Sequence, residues 1–290
     1  MKILHLFQWK ITDIIRELDT IKNQGFDAIQ ISPIQGTKDS GSEWWELYQP
    51  TNLKIGNPQI GSIKDLIKLV QEARKYNLKI IVDVVLRHVA SDENNNLKPH
   101  RNVDQELLPY LAEPIQGYNI DDDRYQCTRR CLGLPMLDYD NPELQKIYRR
   151  FLDQLVFIGV DGFRLDQLKH YALPEEGSNI LNIFKDYEFY GEAIYCPNWL
   201  LDKYSKYMNV ITEGRPSDIS KLVGKFESHD DYLEFGVTKR MDDAMRLREW
   251  DVIANQLGAG NCLYYARPFE TLWKSEKMRE INKKGRYSWI

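Results

Sequence analysis

Eight short apolar runs, separated by stretches of helical periodicity, constrain this 290-residue chain more than any other feature. The runs fall near 3–7, 27–31, 79–85, 161–165, 187–191, 208–212, 224–227 and 261–265. Helical punctuation fills the intervals. Ser62 and Asp65 predict a capping box ahead of Leu66, Leu69, Val70 and Ala73. Asn141 and Pro142 predict an N-cap and first helical residue ahead of Leu144, Ile147, Phe151 and Leu155. Strand followed by helix, repeated, implies a parallel sheet with right-handed crossovers. Eight such strands close into a (β/α)8 TIM barrel, an α/β fold that typically takes about 250 residues. One catalytic domain over 1–290 plus one excursion accounts for the length.

The excursion is expected over 89–135, between the third strand and the third helix. It holds Asn94-Asn95-Asn96, several prolines and Asp121-Asp122-Asp123. Leu107, Leu108, Tyr110, Leu111 and Tyr118 recur in it, as in a small packed unit rather than a loose insertion. Long connections inside a barrel are usually functional, so it is expected to wall one side of a cleft.

Composition excludes several partners. A net charge of −4 gives no electrostatic footprint for nucleic acid. No apolar run is long enough to span a membrane. Met1-Lys2 leads at once into the first strand, so no signal peptide and a cytoplasmic location are expected. Cys127, Cys131, Cys196 and Cys262 lack zinc-site spacing; Cys127 and Cys131 could bridge or bind a metal, but free thiols are the expectation.

The strand ends carry the chemistry. In Gly162-Phe163-Arg164-Leu165-Asp166, period-two alternation sends Arg164 and Asp166 to one face, away from Phe163 and Leu165. A cation beside a carboxylate favours its ionised form, and an ionised carboxylate at a strand end is a candidate nucleophile. A structural ion pair in the barrel interior explains the same residues. Three further runs end alike: Asp83-Val84-Val85-Leu86-Arg87-His88, Gly191-Glu192, and Phe226-Glu227-Ser228-His229-Asp230. In a parallel barrel, residues from several strand ends meet in one site at the C-terminal face.

With these four motifs in this order, the chain resembles the α-amylase family of glycoside hydrolases over nearly its whole length. Trp44-Trp45-Glu46-Leu47-Tyr48-Gln49-Pro50 is similar to that family's loop after the second strand. The resemblance implies Asp166 as nucleophile, Glu192 as acid and base, and Asp230 as stabiliser of the distorted sugar in the transition state. It implies that His88 and His229 hydrogen-bond the hydroxyls of the same sugar, and that Arg164 holds the Asp166 carboxylate ionised and aimed. Tyr48 would stack under the sugar being cleaved, Trp44 and Trp45 would cradle its neighbours, and Gln49 would meet a hydroxyl. Lys169 and His170 resemble the pair that holds sugars beyond the cleavage point, which favours a polymer-cutting enzyme. Retaining hydrolysis needs two carboxyl groups about 5–5.5 Å apart, one nucleophile and one proton donor.

The chain also departs from the family. Many relatives bind a structural calcium between barrel and excursion. Its asparagine and aspartate ligand positions are Arg87 and Met136 here, so no metal and no cofactor are expected, and Arg87 could bridge to Asp138 or Asp140. Chloride, held by some relatives, is doubtful because Ser228 stands at an asparagine position. After the eighth strand only one helix, near 271–284, is expected, where relatives continue into a β-sandwich. The chain is then either a minimal barrel or a piece of a longer one. The leading expectation is endo-hydrolysis of α-1,4-glucans such as starch, glycogen or maltooligosaccharides. A glucan transglycosylase would use the same residues, and a non-catalytic glucan-binding barrel would be expected to lose Asp166, Glu192 or Asp230.

Overall fold

The computed structural model describes residues 1–38, 44–92, 94, 96–212, 214–225, 252, 255–256 and 258–266. Ten strands appear among them: β1 (Lys2–Leu6), β2 (Ala28–Ile31), β3 (Gln35–Thr37), β4 (Pro50–Ile55), β5 (Lys79–Val84), β6 (Gly162–Leu165), β7 (Phe189–Glu192), β8 (Asn209–Thr212), β9 (Leu222–Lys225) and β10 (Asn261–Ala266). β3 and β4 form an antiparallel hairpin. The other eight form a closed barrel in the order β1-β10-β9-β8-β7-β6-β5-β2, every pair parallel. They are the eight runs expected from sequence. β7 begins at Phe189 rather than 187, because the turn ending the preceding helix still holds Tyr187, whose N–H donates to the Phe184 carbonyl at 3.1 Å. β9 begins at Leu222 rather than 224; residues 226–227 and the helix expected near 271–284 lie outside the described residues.

Helices α1 (Ile11–Asn23), α2 (Ile63–Lys75), α3 (Arg124–Arg129), α4 (Pro142–Ile158), α5 (Ile180–Phe184) and α6 (Asn198–Tyr204) join these strands. α2 starts on a capping box: Ser62 Oγ accepts from Asp65 N–H, and the Asp65 carboxylate accepts from Ser62 N–H. α4 starts at Pro142, with Asn141 Oδ1 accepting from Glu143 N–H at 3.0 Å. Its buried stripe of Leu144, Ile147, Phe151, Leu152 and Leu155 faces the sheet. Each such side chain contributes roughly 1.5–3 kcal/mol by leaving water. α4 stops at Gly159, whose φ of 103° suits a residue without a Cβ.

Alternation sorts the strand residues into two cores. Ile3, Ala28, Ile81, Tyr190, Ile211, Val223 and Leu263 fill the barrel interior. Their neighbours, among them Leu4, Ile29, Val82, Phe163 and Val210, pack outward under the helices. Further along the interior faces stand His5, Gln30, Asp83 and Arg164, all buried. A polar tier therefore caps an apolar one.

The segment between β5 and α4 is stitched at its base. Val89 N–H donates to the Pro135 carbonyl and Leu137 N–H to the Arg87 carbonyl, at 3.0 and 2.9 Å. His88 and Met136 form an antiparallel bridge between them. Val103, Leu107, Cys131 and Met136 from this segment join the main apolar core. Cys127, Cys131, Cys196 and Cys262 are all buried free thiols.

Candidate active site

Asp83 and Arg164 are register partners on β5 and β6, so their side chains rise together from the polar tier. Arg164 Nη1 donates to Asp83 Oδ1 and Oδ2 at 2.8 and 3.0 Å, and to Asp166 Oδ1 at 2.9 Å. Its Nη2 pairs with Glu192 Oε1. One guanidinium thus holds three carboxylates from the ends of three neighbouring strands. Side-chain exposure rises from 0% at Asp83 through 8% at Asp166 to 18% at Glu192, so Glu192 stands furthest toward the opening.

The pairing of Arg164 with Asp166 expected from sequence is present, but burial holds Asp166 toward its protonated form rather than ionised. The structure adds Asp83 and Glu192, so one cation is divided among three carboxylates. Burial pushes Asp166 up to about 8 and Asp83 up to about 6; Arg164 opposes both shifts and the Glu192 charge adds to them. Two buried carboxylates, Asp83 and Asp166, that share one cation are thus held toward their protonated forms by burial. A site that must both donate a proton and present an anion can use that.

The backbone around the cluster is tightly constrained. Asp166 N–H donates to the Val84 carbonyl at 3.1 Å. Gln167 follows in the left-handed region, φ 55°, and its N–H donates to Glu192 Oε2 at 3.3 Å. Gly191 lies against Leu168: an added Cβ would stand 2.8 Å from that side chain's Cβ and Cγ. The sequence GE at the end of β7 therefore places a carboxylate one residue after a point where backbone meets a neighbouring side chain.

Tyr48 sits on the 3-10 turn Trp44–Tyr48, between the hairpin strands. Its hydroxyl donates to Asp83 Oδ2 at 3.0 Å, and the Arg164 guanidinium carbon lies 5.7 Å from its ring centroid. His88 Nε2 meets the Tyr48 carbonyl at 2.8 Å. Burial pushes His88 down to about 4, so it is neutral near pH 7 and steadies the tyrosine turn. Trp45 is 36% exposed. Gln49 is largely buried, and its Oε1 accepts from Ser91 N–H at 3.4 Å. Lys169 and His170 are also largely buried. Lys169 Nζ donates to the Tyr195 carbonyl at 3.2 Å and lies 3.5 Å from the Asp121 carboxylate. His170 has a buried Nδ1 with no hydrogen-bond partner among the described residues.

His229 and Asp230, the Trp44 side chain, and Ser228 of the chloride argument lie outside the described residues. Asp83 is the residue that sequence reasoning left without a role. Its signal was present: a carboxylate in an otherwise apolar strand, at the parity that faces inward.

The calcium seat does not fit a metal. Arg87 is 1% exposed. Its Nε donates to the His170 carbonyl at 3.0 Å, and Nη2 to the carbonyls of Arg130 and Cys127 at 2.7 and 3.2 Å. A calcium ion needs six to eight oxygens; here a guanidinium already lies on the carbonyls. Met136 is buried in the apolar core and brings no oxygen. The expected bridge from Arg87 to Asp138 or Asp140 is not made. Asp140 is taken by Arg129 and by Ser178, whose Oγ donates to it at 2.6 Å.

The comparisons with known proteins agree with this architecture. Residues 10–192 match the family model for the alpha amylase catalytic domain. The chain is 30% identical to an alpha-amylase of Clostridium acetobutylicum, an alignment covering 97% of this chain and 42% of that protein. It therefore spans less than half the length of that relative. An alpha-amylase structure from Malbranchea cinnamomea superposes with a TM-score of 0.72 at 17% identity, covering 98% of this chain and 74% of that one. The alpha-amylase of Geobacillus thermoleovorans, solved with acarbose, gives 0.61 at 20% identity, with 94% and 63% covered. With 183 consecutive residues matched, from 10 to 192, this chain belongs to the alpha-amylase family.

Proposed function

We propose that the chain is a retaining, endo-acting hydrolase of α-1,4-glucans, with Asp166 as nucleophile and Glu192 as acid and base. The observation that carries this reading is the shared guanidinium: Asp166 and Glu192 bond the two terminal nitrogens of Arg164. Two carboxylates bridged by one guanidinium suit the shorter separation of a retaining mechanism. Family membership, and the acarbose held by the Geobacillus relative, support an α-glucan in the cleft.

The steps follow from the residues. Glu192 gives its proton to the glycosidic oxygen as the bond from that oxygen to C1 breaks. Asp166 Oδ1 is anchored on Arg164, whereas Oδ2 has no partner among the described residues. Oδ2 forms the bond to C1, giving a covalent glycosyl ester. Glu192, now a carboxylate, takes a proton from water, whose oxygen attacks C1 and releases Asp166. Asp83 stays in the floor, holding Arg164 and Tyr48 in place. On this reading His229 and Asp230 complete the sugar contacts.

Mass analysis of early products from starch and from maltoheptaose tests the reading. A spread of short maltooligosaccharides, with no product longer than the substrate, is expected. Release of glucose alone from chain ends would contradict endo cleavage, and products longer than the substrate would assign the site to glycosyl transfer.

A further inference from the structure

Three consecutive carbonyls, of Lys169, His170 and Tyr171, are each held by an arginine reaching from the far side of the cleft wall. Arg124 Nη1 donates to the Lys169 carbonyl at 2.7 Å and Nη2 to that of Tyr171 at 3.2 Å, while Arg87 Nε takes that of His170 at 3.0 Å. Arg124 sits at the start of α3, and Arg87 just past β5. Each is anchored elsewhere. Arg124 forms a two-point pair with the Glu176 carboxylate at 2.8 and 3.2 Å and donates to the Tyr204 hydroxyl at 2.7 Å. The hydroxyl of Tyr204 in turn donates to the Tyr171 carbonyl at 2.6 Å. Arg87 reaches back to the carbonyls of Arg130 and Cys127.

Among the described residues Arg87 bonds no carboxylate. Its buried charge is met by carbonyl dipoles alone, as a bound cation's charge would be. The clamped segment is the 3-10 turn Leu168–His170, entered through left-handed Gln167. Its carbonyls are held by the two guanidinia, with the Tyr204 hydroxyl shared between those of Lys169 and Tyr171 at 3.1 and 2.6 Å. The side chains of Lys169 and His170 are set by that main chain.

We propose that Arg87 and Arg124 are positioning residues, a two-guanidinium clamp that fixes the Lys169–Tyr171 main chain and so aims Lys169 and His170 at sugars beyond the cleavage point. Arg87 does this where a metal would otherwise join barrel and excursion. The kinetic part rests on the hydrolase reading above; the structural part does not.

The test uses the whole chain with Arg124→Gln and Arg124→Lys, and Arg87→Met where it folds. For Arg124→Gln, KM on maltoheptaose should rise about tenfold with kcat changed less than about threefold. On an activated aryl maltotrioside, whose leaving group is no sugar, kcat/KM should move less than about threefold. Arg124→Lys should resemble Arg124→Gln, because an ammonium cannot fork to two carbonyls and a carboxylate. Amide hydrogen exchange across 168–172 should quicken about tenfold or more in both variants. Equal losses on both substrates would reduce the clamp to a purely structural role and overturn the positioning claim. Unchanged exchange would overturn the clamp itself, and it decides the matter even if the chain hydrolyses no glucan. In the unaltered protein, EDTA should leave the melting temperature unchanged. A chelator-induced drop that calcium but not sodium reverses would show that a metal, not Arg87, makes the joint.

Discussion

Asp166 and Glu192 share a cation but not an environment, and their variants should differ accordingly. Asp166→Asn keeps an oxygen for Arg164 but no anion for C1. Turnover should fall by more than about a thousandfold, over roughly 4 kcal/mol of barrier. The fold should not suffer. Asp166 is raised to about 8, so between its unfolded value and that figure the folded state keeps a proton that the unfolded state has released, and stability falls as pH climbs. Thermal melts at pH 5 and pH 8 should show the variant gaining on the native chain with rising pH. A variant markedly less stable than native at pH 8 would contradict this burial account. Glu192→Gln removes the proton donor instead. Activity on starch should collapse, while an aryl glycoside with a good leaving group should still react once and build up the covalent intermediate, visible by intact mass. Equal loss on both, with no adduct, would remove Glu192 from the acid role. His88 carries the opposite linkage. Burial lowers it to about 4, so its contribution to stability is lost as pH falls from about 6.5 toward 4. His88→Gln should flatten the acid limb of the melting-temperature profile; an unchanged slope would mean that the ring is protonated in the fold.

At the level of elements, β7 and the turn after β6 are fitted to one another through Gly191 and Leu168. A methyl at 191 would overlap the leucine and push the turn that carries Lys169 and His170. Gly191→Ala should therefore cost about 1–3 kcal/mol in urea unfolding and lower activity by displacing that turn. Adding Leu168→Ala should recover part of the lost activity, because the double variant restores the space. A double variant no better than Gly191→Ala would place the damage elsewhere. The eight barrel strands were legible in sequence because each apolar run is bounded by punctuation that a parallel strand requires. Ser62 and Asn141 marked helix starts for the same local reason. Arg124 left no such mark. Its partners, the carbonyls of Lys169 and Tyr171 and the carboxylate of Glu176, are distant in sequence and follow no period. Asp83 was visible as a residue but not as a partner, because register between β5 and β6 exists only once the barrel closes.

Over the whole molecule, the barrel divides its interior between a lower apolar tier and an upper polar one. The apolar tier from Ile3 to Leu263 is packed like any core. The upper tier buries Asp83 and Arg164, which helps stability only while the pair is intact. Removing Arg164 would leave three carboxylates to repel one another around an uncompensated site. The molecule thus concentrates its costly electrostatics at the mouth where strands β5, β6 and β7 end. On the proposed mechanism Asp166 and Glu192, gathered on one guanidinium, cleave an α-glucoside by two successive displacements. Proton NMR of the first products from maltoheptaose, read before mutarotation, tests this most directly. The mechanism, with its two displacements, should give α-anomeric reducing ends first. β-Anomeric ends appearing first would require a single inverting attack by water and would contradict it.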